Sequence, residues 1–220
     1  PTPTPSVTIQ PTIPVPATAT PTAAILNANL SQTGWFVYVC QKRDIEDLCL
    51  VSPDHQKIIA MGLNKFETIS SPTWSPDGRT IAFEVFHRNY VDIYLVDVNC
   101  VNTASGCMAN IRPITSSRSG WFIHPDWSPD GQKIVYVYRV FVHGSSANQI
   151  WTMNADGTNP TRLTDIDGFY PTWSPDGNEI AFVYHESMYG DVFIMNQDGA
   201  NIHQLTELLT DSSSPSWSPD

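Results

Sequence analysis

The chain has 220 residues, of which 41% are apolar, 11% aromatic and 15% charged, and its formal net charge is −11. An acidic surface repels phosphate groups, so the composition disfavours nucleic acid and anionic membrane surfaces as partners. No run of about 18 uncharged apolar residues occurs, which predicts that no membrane-spanning helix lies in this chain. The low charge and high aromatic content favour a β-rich fold.

Residues 1–24 are a Pro/Thr-rich segment that holds seven of the 18 prolines and no charged residue. Such a segment buries too little apolar surface to offset the entropy of ordering, so we expect a disordered linker with polyproline II character. Two interpretations stay open: a stalk that holds an extracellular domain away from a cell surface, and a plain disordered tail. Because the chain starts without methionine, any signal peptide or anchor is expected upstream.

Residues 25–220 form the second predicted domain, which is built on repeats of Pro-x-Trp-Ser-Pro-Asp-Gly. The copies begin at Pro72, Pro125 and Pro171, and a shorter copy begins at Pro215. Pro presets the backbone for the second position of a tight turn and Gly supplies the positive φ that ends it. The Trp, Asp and Gly positions of the motif are Trp74, Asp77, Gly78, Trp127, Asp130, Gly131, Trp173, Asp176, Gly177 and Trp217.

Each copy of the motif is followed by two β-patterned runs, a turn, and a short run that ends in Leu-Thr or Ile-Thr. The predicted second strands are Thr80 to Phe86, Lys133 to Val142 and Glu179 to Tyr184. The predicted third strands are Asp92 to Val96, Gln149 to Met153 and Asp191 to Met195. With Pro-x-Trp-Ser as the first and shortest strand, this gives four antiparallel strands in each repeat, the pattern of a β-propeller blade. Residues 34–61 fit the same pattern without its opening strand.

Four cysteines, Cys40, Cys49, Cys100 and Cys107, allow three pairings. Their close spacing favours Cys40–Cys49 and Cys100–Cys107, each across a predicted hairpin connection, with Cys40 opposite Cys49. Reduced thiols and zinc binding are the alternatives, although neither spacing is C-x2-C and no histidine lies at ligand spacing. Disulfides would indicate an oxidising compartment.

These motifs, followed by an Ile-Ala-Phe-like strand, an Ile-Tyr-x-Met-Asn-like strand, Asp-Gly and Leu-Thr, resemble the TolB-type propeller repeat over roughly residues 34–220. The resemblance implies an all-β propeller of four-stranded blades. The family typically closes six blades, and this chain carries about four, so we expect an incomplete propeller cut at its C-terminus. An open arc is expected, and a closed four-bladed ring, with 215–217 paired to 35–40, is the alternative.

Two groups of residues are candidates for a binding site. The Trp-Ser-Pro-Asp-Gly motif is interpreted as structural, because every blade needs the same packing whereas a binding site is usually asymmetric. Four histidines, at the ends of second strands or before a first strand, are predicted to share one face of the propeller and could bind a metal or sense pH. They are His87, His124, His143 and His185, and ordinary solvated loop residues are the alternative interpretation.

No catalytic, cofactor or metal motif is recognised in the sequence. Asn154 to Gly157 and Asp165 to Gly168 faintly resemble calcium loops but lack the later bidentate acid, so turn chemistry explains them. The motifs G-x-S-x-G, H-E-x-x-H and a phosphate-binding glycine loop are missing. We therefore expect no cofactor and no catalytic residue in this chain.

The sequence favours a non-catalytic propeller that binds a protein or a glycan in an extracellular, cell-surface or periplasmic location. Resemblance to TolB implies protein–protein contact in an envelope assembly. Two alternatives stay open. The chain could be the substrate-gating propeller of a prolyl-oligopeptidase-like serine peptidase with its catalytic domain outside this chain, or the sensor domain of a membrane signalling protein.

Overall fold

The computed structural model describes seven ranges of the chain, namely 34–42, 45–103, 106–116, 120–142, 145–185, 190–207 and 214–219. The predicted linker, 1–24, lies outside them. The regular structure of the described residues is β-strand, apart from two short 3-10 helices at Val98–Asn102 and Cys107–Asn110. None of these described helices is long and apolar enough to cross a membrane.

Fifteen strands form four consecutive antiparallel blades: β1–β3, β4–β7, β8–β11 and β12–β15, called blades 1 to 4. In chain order the strands are β1 Phe36–Lys42, β2 Ile45–Val51, β3 Ile58–Ala60, β4 Thr68–Trp74, β5 Thr80–Phe86, β6 Val91–Asp97, β7 Ile111–Pro113, β8 Gly120–Trp127, β9 Lys133–Val142, β10 Ser145–Asn154, β11 Thr161–Arg162, β12 Phe169–Trp173, β13 Glu179–His185, β14 Gly190–Asn196 and β15 His203–Gln204. The predicted all-β blade architecture is confirmed, including the three-stranded blade 1.

The blades form an open, incomplete propeller. A single parallel bridge, Val91 with Trp121, joins blades 2 and 3 into one sheet. The opening strands of neighbouring blades contact one another, β4 with β8 and β8 with β12, so these strands lie on the inner side of the arc. No strand pairing links residues 214–219 to β1 within the part of the chain that the structure describes, so the alternative of a closed four-bladed ring is wrong.

The opening strands differ from the prediction that they are the shortest. They run for five to eight residues, whereas the closing strands have two or three. The opening strands extend N-terminally of the motif because a β-bulge lets the chain continue past its proline. Each of them has a register shift at this point, between Ser70 and Thr73 in β4 and at the equivalent positions of β8 and β12. A bulge leaves one residue out of the ladder, so the missing N–H of proline costs no hydrogen bond.

The core consists of separate clusters between neighbouring blades. Trp127 of blade 3 packs with Ile93 and Leu95 of blade 2. Trp173 of blade 4 packs with Val135 and Ile150 of blade 3. Both of these motif tryptophans therefore fill the contact with the preceding blade, and burial of such a ring is a large hydrophobic contribution.

The Ser-Pro-Asp-Gly turns are held by one recurring set of hydrogen bonds. In blade 3 the Ser128 hydroxyl donates to Asp130 Oδ1 at 2.6 Å and accepts the Lys133 N–H at 2.9 Å. The bond from Ser128 and the Gln132 N–H hold the pKa of the Asp130 carboxyl below its ordinary value. Gly131 has φ 70°, the left-handed conformation expected of the glycine in this turn.

The closing Leu-Thr or Ile-Thr pair ties the outer strand to the third strand of its blade. Thr115 Oγ1 donates to Asp92 Oδ1 at 2.9 Å and accepts the Ile93 N–H at 2.9 Å. Thr206 and Asp191 repeat the arrangement in blade 4 at 3.0 Å. The recurring threonine therefore joins the closing segment to the third strand by side-chain hydrogen bonds, a structural role that the sequence pattern did not reveal.

Both predicted disulfides are formed, Cys40–Cys49 and Cys100–Cys107. Cys40 lies diagonal to Cys49 rather than directly opposite, because Cys49 pairs in register with Tyr38. The second disulfide lies in the connection between β6 and β7, where it links the two 3-10 helices.

Candidate functional site

Aromatic side chains from three blades collect along one edge of the arc, where opening strands begin and second strands end. We call this set, with the arginine among it, the aromatic rim. Its members are Phe86, Trp121, Arg139, Phe141, Phe169 and Tyr170. Trp121 makes edge contacts with Phe86 at 6.4 Å and Phe141 at 5.4 Å between ring centroids. Phe141 is 51% exposed and Tyr170 is 38% exposed, so the rim presents flat apolar surface to solvent.

Within the rim, Arg139 lies near aromatic rings of two blades. Its guanidinium carbon is 5.3 Å from the centroid of Trp121 and 6.0 Å from that of Phe169. A cation over an aromatic face is attracted by the ring quadrupole. Register places Trp121 directly across β8–β9 from Arg139, so the contact within blade 3 follows from strand pairing.

A buried asparagine fixes the orientation of this arginine. Arg139 Nε donates to Asn148 Oδ1 at 2.6 Å, and Asn148 is 4% exposed. The backbone of Asn148 is in turn anchored, since its N–H donates to Asp167 Oδ1 at 2.7 Å and its carbonyl accepts the Gly168 N–H at 2.8 Å. The arginine is thus held in place before any ligand arrives.

Beside the rim, His124 occupies the bulge of β8 with φ 53°. Its backbone N–H donates to Oε1 of Glu84 in blade 2 at 2.6 Å, and Glu84 is 2% exposed. Ser70 donates its hydroxyl to the other oxygen of Glu84. The His124 ring packs on Tyr170, the bulge residue of blade 4, at 4.2 Å. Burial lowers the pKa of His124 below its ordinary value, and the charge of Glu84 partly offsets this effect.

The predicted histidine face is only partly assembled. His124 and His185 both reach the rim, His185 through an edge contact with Phe169 at 5.2 Å. His87 instead stacks on Tyr90 at 4.4 Å, within the connection between β5 and β6. His143 lies outside the described residues. Across the described ranges, no group of three or more His, Cys, Asp or Glu side chains is arranged to hold a metal ion.

The two loops that faintly resemble calcium sites make local contacts. Asp165 forms an ion pair with Arg162 at 2.7 Å, and the Asn154 amide donates to Thr158 Oγ1 at 2.9 Å.

On the opposite edge of the arc, a groove of about 490 Å³ lies between blades 2 and 3 and is lined by turn carboxylates such as Asp77 and Asp130. Those carboxylates accept hydrogen bonds from their own turns. Turn chemistry therefore accounts for them.

Sequence reasoning missed the aromatic rim, because its residues belong to no repeated motif. The motif tryptophans are spaced regularly, whereas Trp121, Phe141 and Phe169 occupy different positions within their repeats. One signal was available: a proline after a β-patterned residue, as in His124-Pro125 and Tyr170-Pro171, indicates a bulge, and bulges re-aim side chains.

Comparison with known proteins supports the fold. A protein of Agrobacterium fabrum is 30% identical over 161 residues, which cover 67% of this chain and 50% of the relative. The crystal structure of TolB from Acinetobacter baumannii matches 79% of this chain and 42% of TolB, with TM-score 0.63 and 22% identity. A puromycin-hydrolyzing peptidase of Mycobacterium tuberculosis matches 79% of this chain and 30% of the peptidase, with TM-score 0.56 and 11% identity. The chain thus spans about half the length of the A. fabrum relative and less than half the length of TolB and of the peptidase.

The family model for the TolB β-propeller domain matches residues 35–220, which include every described blade. The matched residues include the repeated turns, the motif tryptophans between blades and the four-stranded meanders. The chain belongs to the TolB β-propeller domain family.

Proposed function

We propose that this chain is a non-catalytic binding module that takes a segment of a partner protein on its aromatic rim. The observation that carries the proposal is the asymmetry of the rim. The structural motif recurs in every blade, but the rim gathers unlike side chains from blades 2, 3 and 4 around one arginine. Exposed aromatic rings and arginine are the side chains that dominate protein–protein contacts.

The two disulfides support an oxidising location for this binding, whether extracellular, at the cell surface or periplasmic. Both lie outside the rim, in blade 1 and between β6 and β7, so they stabilise the framework without occupying the binding surface.

The test uses a random peptide library displayed on phage and panned against the oxidised chain. We expect recovered peptides whose affinity falls at least about tenfold in Phe141→Ala and in Phe169→Ala, since truncating a central aromatic contact typically costs more than 1 kcal/mol. Ile58→Ala is the matched control, because Ile58 is a similarly exposed apolar side chain in blade 1, 57% exposed. A glycan array is probed in parallel.

Two results would contradict the proposal. Peptides that bind the rim variants as tightly as the original chain would place binding elsewhere. Glycans that bind, and lose binding in the same two variants, would replace the protein partner with a carbohydrate.

A second candidate function, the gating propeller of a serine peptidase, is supported by the likeness to the puromycin-hydrolyzing peptidase. In that case the rim would screen substrates before they reach a catalytic domain elsewhere in the protein. The complete reading frame separates the two candidates. A downstream domain with G-x-S-x-G favours the peptidase, and further blades alone favour the binding module.

A further inference from the structure

Arg139 differs from the other cationic side chains that the structure describes. It is half-buried, whereas the others are exposed, namely Lys57, Lys65, Arg79, Arg88, Arg112, Lys133 and Arg162. Removing a cation from water is costly unless a partner compensates for it. A half-buried arginine in a protein with net charge −11 would ordinarily find a carboxylate of its own chain.

Arg139 has no such partner within the described ranges. The ion pair found there is Arg162 with Asp165, so no described carboxylate oxygen lies within ion-pair distance of Arg139. Its Nε donates to the neutral amide oxygen of Asn148, and its terminal nitrogens make no hydrogen bond to a described residue. Contacts with ring faces leave in-plane N–H groups unused. The two terminal nitrogens carry four of the five guanidinium donors, in the fork geometry that matches a carboxylate.

The rest of the rim indicates which ligand would bring that carboxylate. The Arg139 guanidinium lies near one ring of blade 3, Trp121, which contacts Phe141, and near one ring of blade 4, Phe169. Besides Arg139, the hydrogen-bonding side-chain groups of the rim are the Trp121 indole N–H and the Tyr170 hydroxyl, so a sugar would leave most of its hydroxyl groups without partners. The net charge of −11 also disfavours a ligand with many acidic groups.

We infer that Arg139 binds the side-chain carboxylate of a single acidic residue within a partner peptide, whose apolar residues on both sides lie on the aromatic rings of blades 3 and 4. This inference rests on the proposed function and adds the chemistry of the partner. An internal acidic residue fits better than a chain terminus, because rings of two different blades lie near the guanidinium and each can contact a separate apolar residue of the peptide.

The experiment measures binding of an N-acetylated, C-amidated peptide, Gly-Ser-Leu-Phe-Glu-Phe-Leu-Ser-Gly, and of the same peptide with Gln in place of Glu. A charge-assisted bidentate pair predicts that the oxidised chain binds the Glu peptide at least about tenfold more tightly. Arg139→Gln should reduce that preference to within about twofold, and Arg139→Lys should retain part of it, because lysine keeps the charge but loses the fork. Arg162→Gln is the matched control and should keep the full preference.

Circular dichroism and thermal melting confirm that the Arg139 variants are folded. If both peptides bind equally and Phe141→Ala abolishes both, the carboxylate inference is wrong while the rim remains a binding surface. If neither peptide binds, the inference is also wrong, and the phage library alone then decides the proposed function. A preference for Glu that persists in Arg139→Gln would assign the carboxylate to another group. A third peptide carries Gln in place of Glu and has a free C-terminal carboxylate. If it binds as tightly as the amidated Glu peptide, Arg139 binds a chain terminus and the inference of an internal acidic residue is wrong.

Discussion

Asp126 links blades 3 and 4 through a carboxylate that is largely removed from solvent. Its Oδ2 accepts the Thr172 hydroxyl at 2.9 Å and the Trp173 N–H at 2.9 Å. Burial raises the pKa of Asp126 above its ordinary value of 3.8, and the hydrogen bonds from Trp173 and Thr172 oppose the rise without cancelling it. The contact between blades 3 and 4 is therefore less stable when this carboxyl is ionised than when it is protonated.

The sign of the shift makes Asp126→Asn a pH-dependent change. Because the folded-state pKa is raised, the contribution of Asp126 to stability is fully present below 3.8 and is lost as pH rises through the folded value. Asparagine has a similar shape and is neutral throughout. We expect the free energy of unfolding of Asp126→Asn to increase relative to that of the unmodified chain as pH rises from 4 to 7. Urea unfolding at each pH measures the difference.

The exposed turn residue Asp198 provides the control for this measurement. Asp198→Asn removes a carboxylate whose Oδ1 accepts the Ala200 N–H at 2.9 Å in an exposed turn. Asp198→Asn should not increase the free energy of unfolding relative to the unmodified chain as pH rises from 4 to 7. A stability difference between Asp126→Asn and the unmodified chain that stays constant with pH, or that falls as pH rises, would contradict the assignment.

At the scale of the element, the Asn-x-Asp-Gly turns join blades as well as strands. Gly157 has φ 92°, and a Cβ at this position would lie 2.3 Å from the carbonyl oxygen of Ile114 in blade 2. Gly199 repeats the approach to Leu163 of blade 3, at 2.5 Å. Each turn therefore packs directly on the closing segment of the preceding blade, so its glycine is needed for space as well as for backbone conformation.

This close packing predicts that Gly157→Ala costs more stability than Gly131→Ala. Both glycines have positive φ, so each substitution costs about 1–2 kcal/mol from backbone strain. At Gly131 a Cβ would meet a side-chain atom of Pro76 at 3.2 Å, whereas at Gly157 it would meet backbone. The overlap at Gly157 should add roughly 1–3 kcal/mol. Equal midpoints of urea unfolding for the two variants would contradict the interblade contact.

At the scale of the whole molecule, the described part of the open arc holds no neighbour for blade 1 on one side. Its strands expose large apolar side chains, with Phe36 60%, Tyr38 39% and Ile45 46% exposed. In a repeat architecture each unit buries its apolar face against the next, so an uncovered end blade favours association.

We therefore expect this 220-residue chain to self-associate as its concentration rises, and Phe36→Lys combined with Tyr38→Lys to reduce the association. Sedimentation velocity over a range of concentrations provides the measurement. Phe141→Lys serves as the control, because Phe141 is similarly exposed but lies in blade 3. If Phe141→Lys reduces the association and the blade 1 variant does not, the copies associate through the aromatic rim and the prediction for blade 1 is wrong.

Much of the framework could be predicted because its causes lie close together in the chain. Runs rich in β-branched and aromatic residues predicted β5 at Thr80–Phe86 and β9 at Lys133–Val142 with the observed bounds. The Pro and Gly of the repeated motif predicted the turns, and short spacing predicted both disulfides. The length of the opening strands was misjudged, because a proline that ends most strands is accommodated here by a bulge.

The sequence by itself determined the repeat, the four blades and the turns, because turn geometry and strand alternation depend on residues a few positions apart. Only the tertiary structure decided the aromatic rim, the Arg139 guanidinium that meets an amide oxygen and no described carboxylate, and the contact of Gly157 with Ile114. These features join residues of different blades, and their distance depends on how consecutive blades pack and rotate against one another. No local pattern encodes that packing, since it results from the shapes of the side chains between the blades.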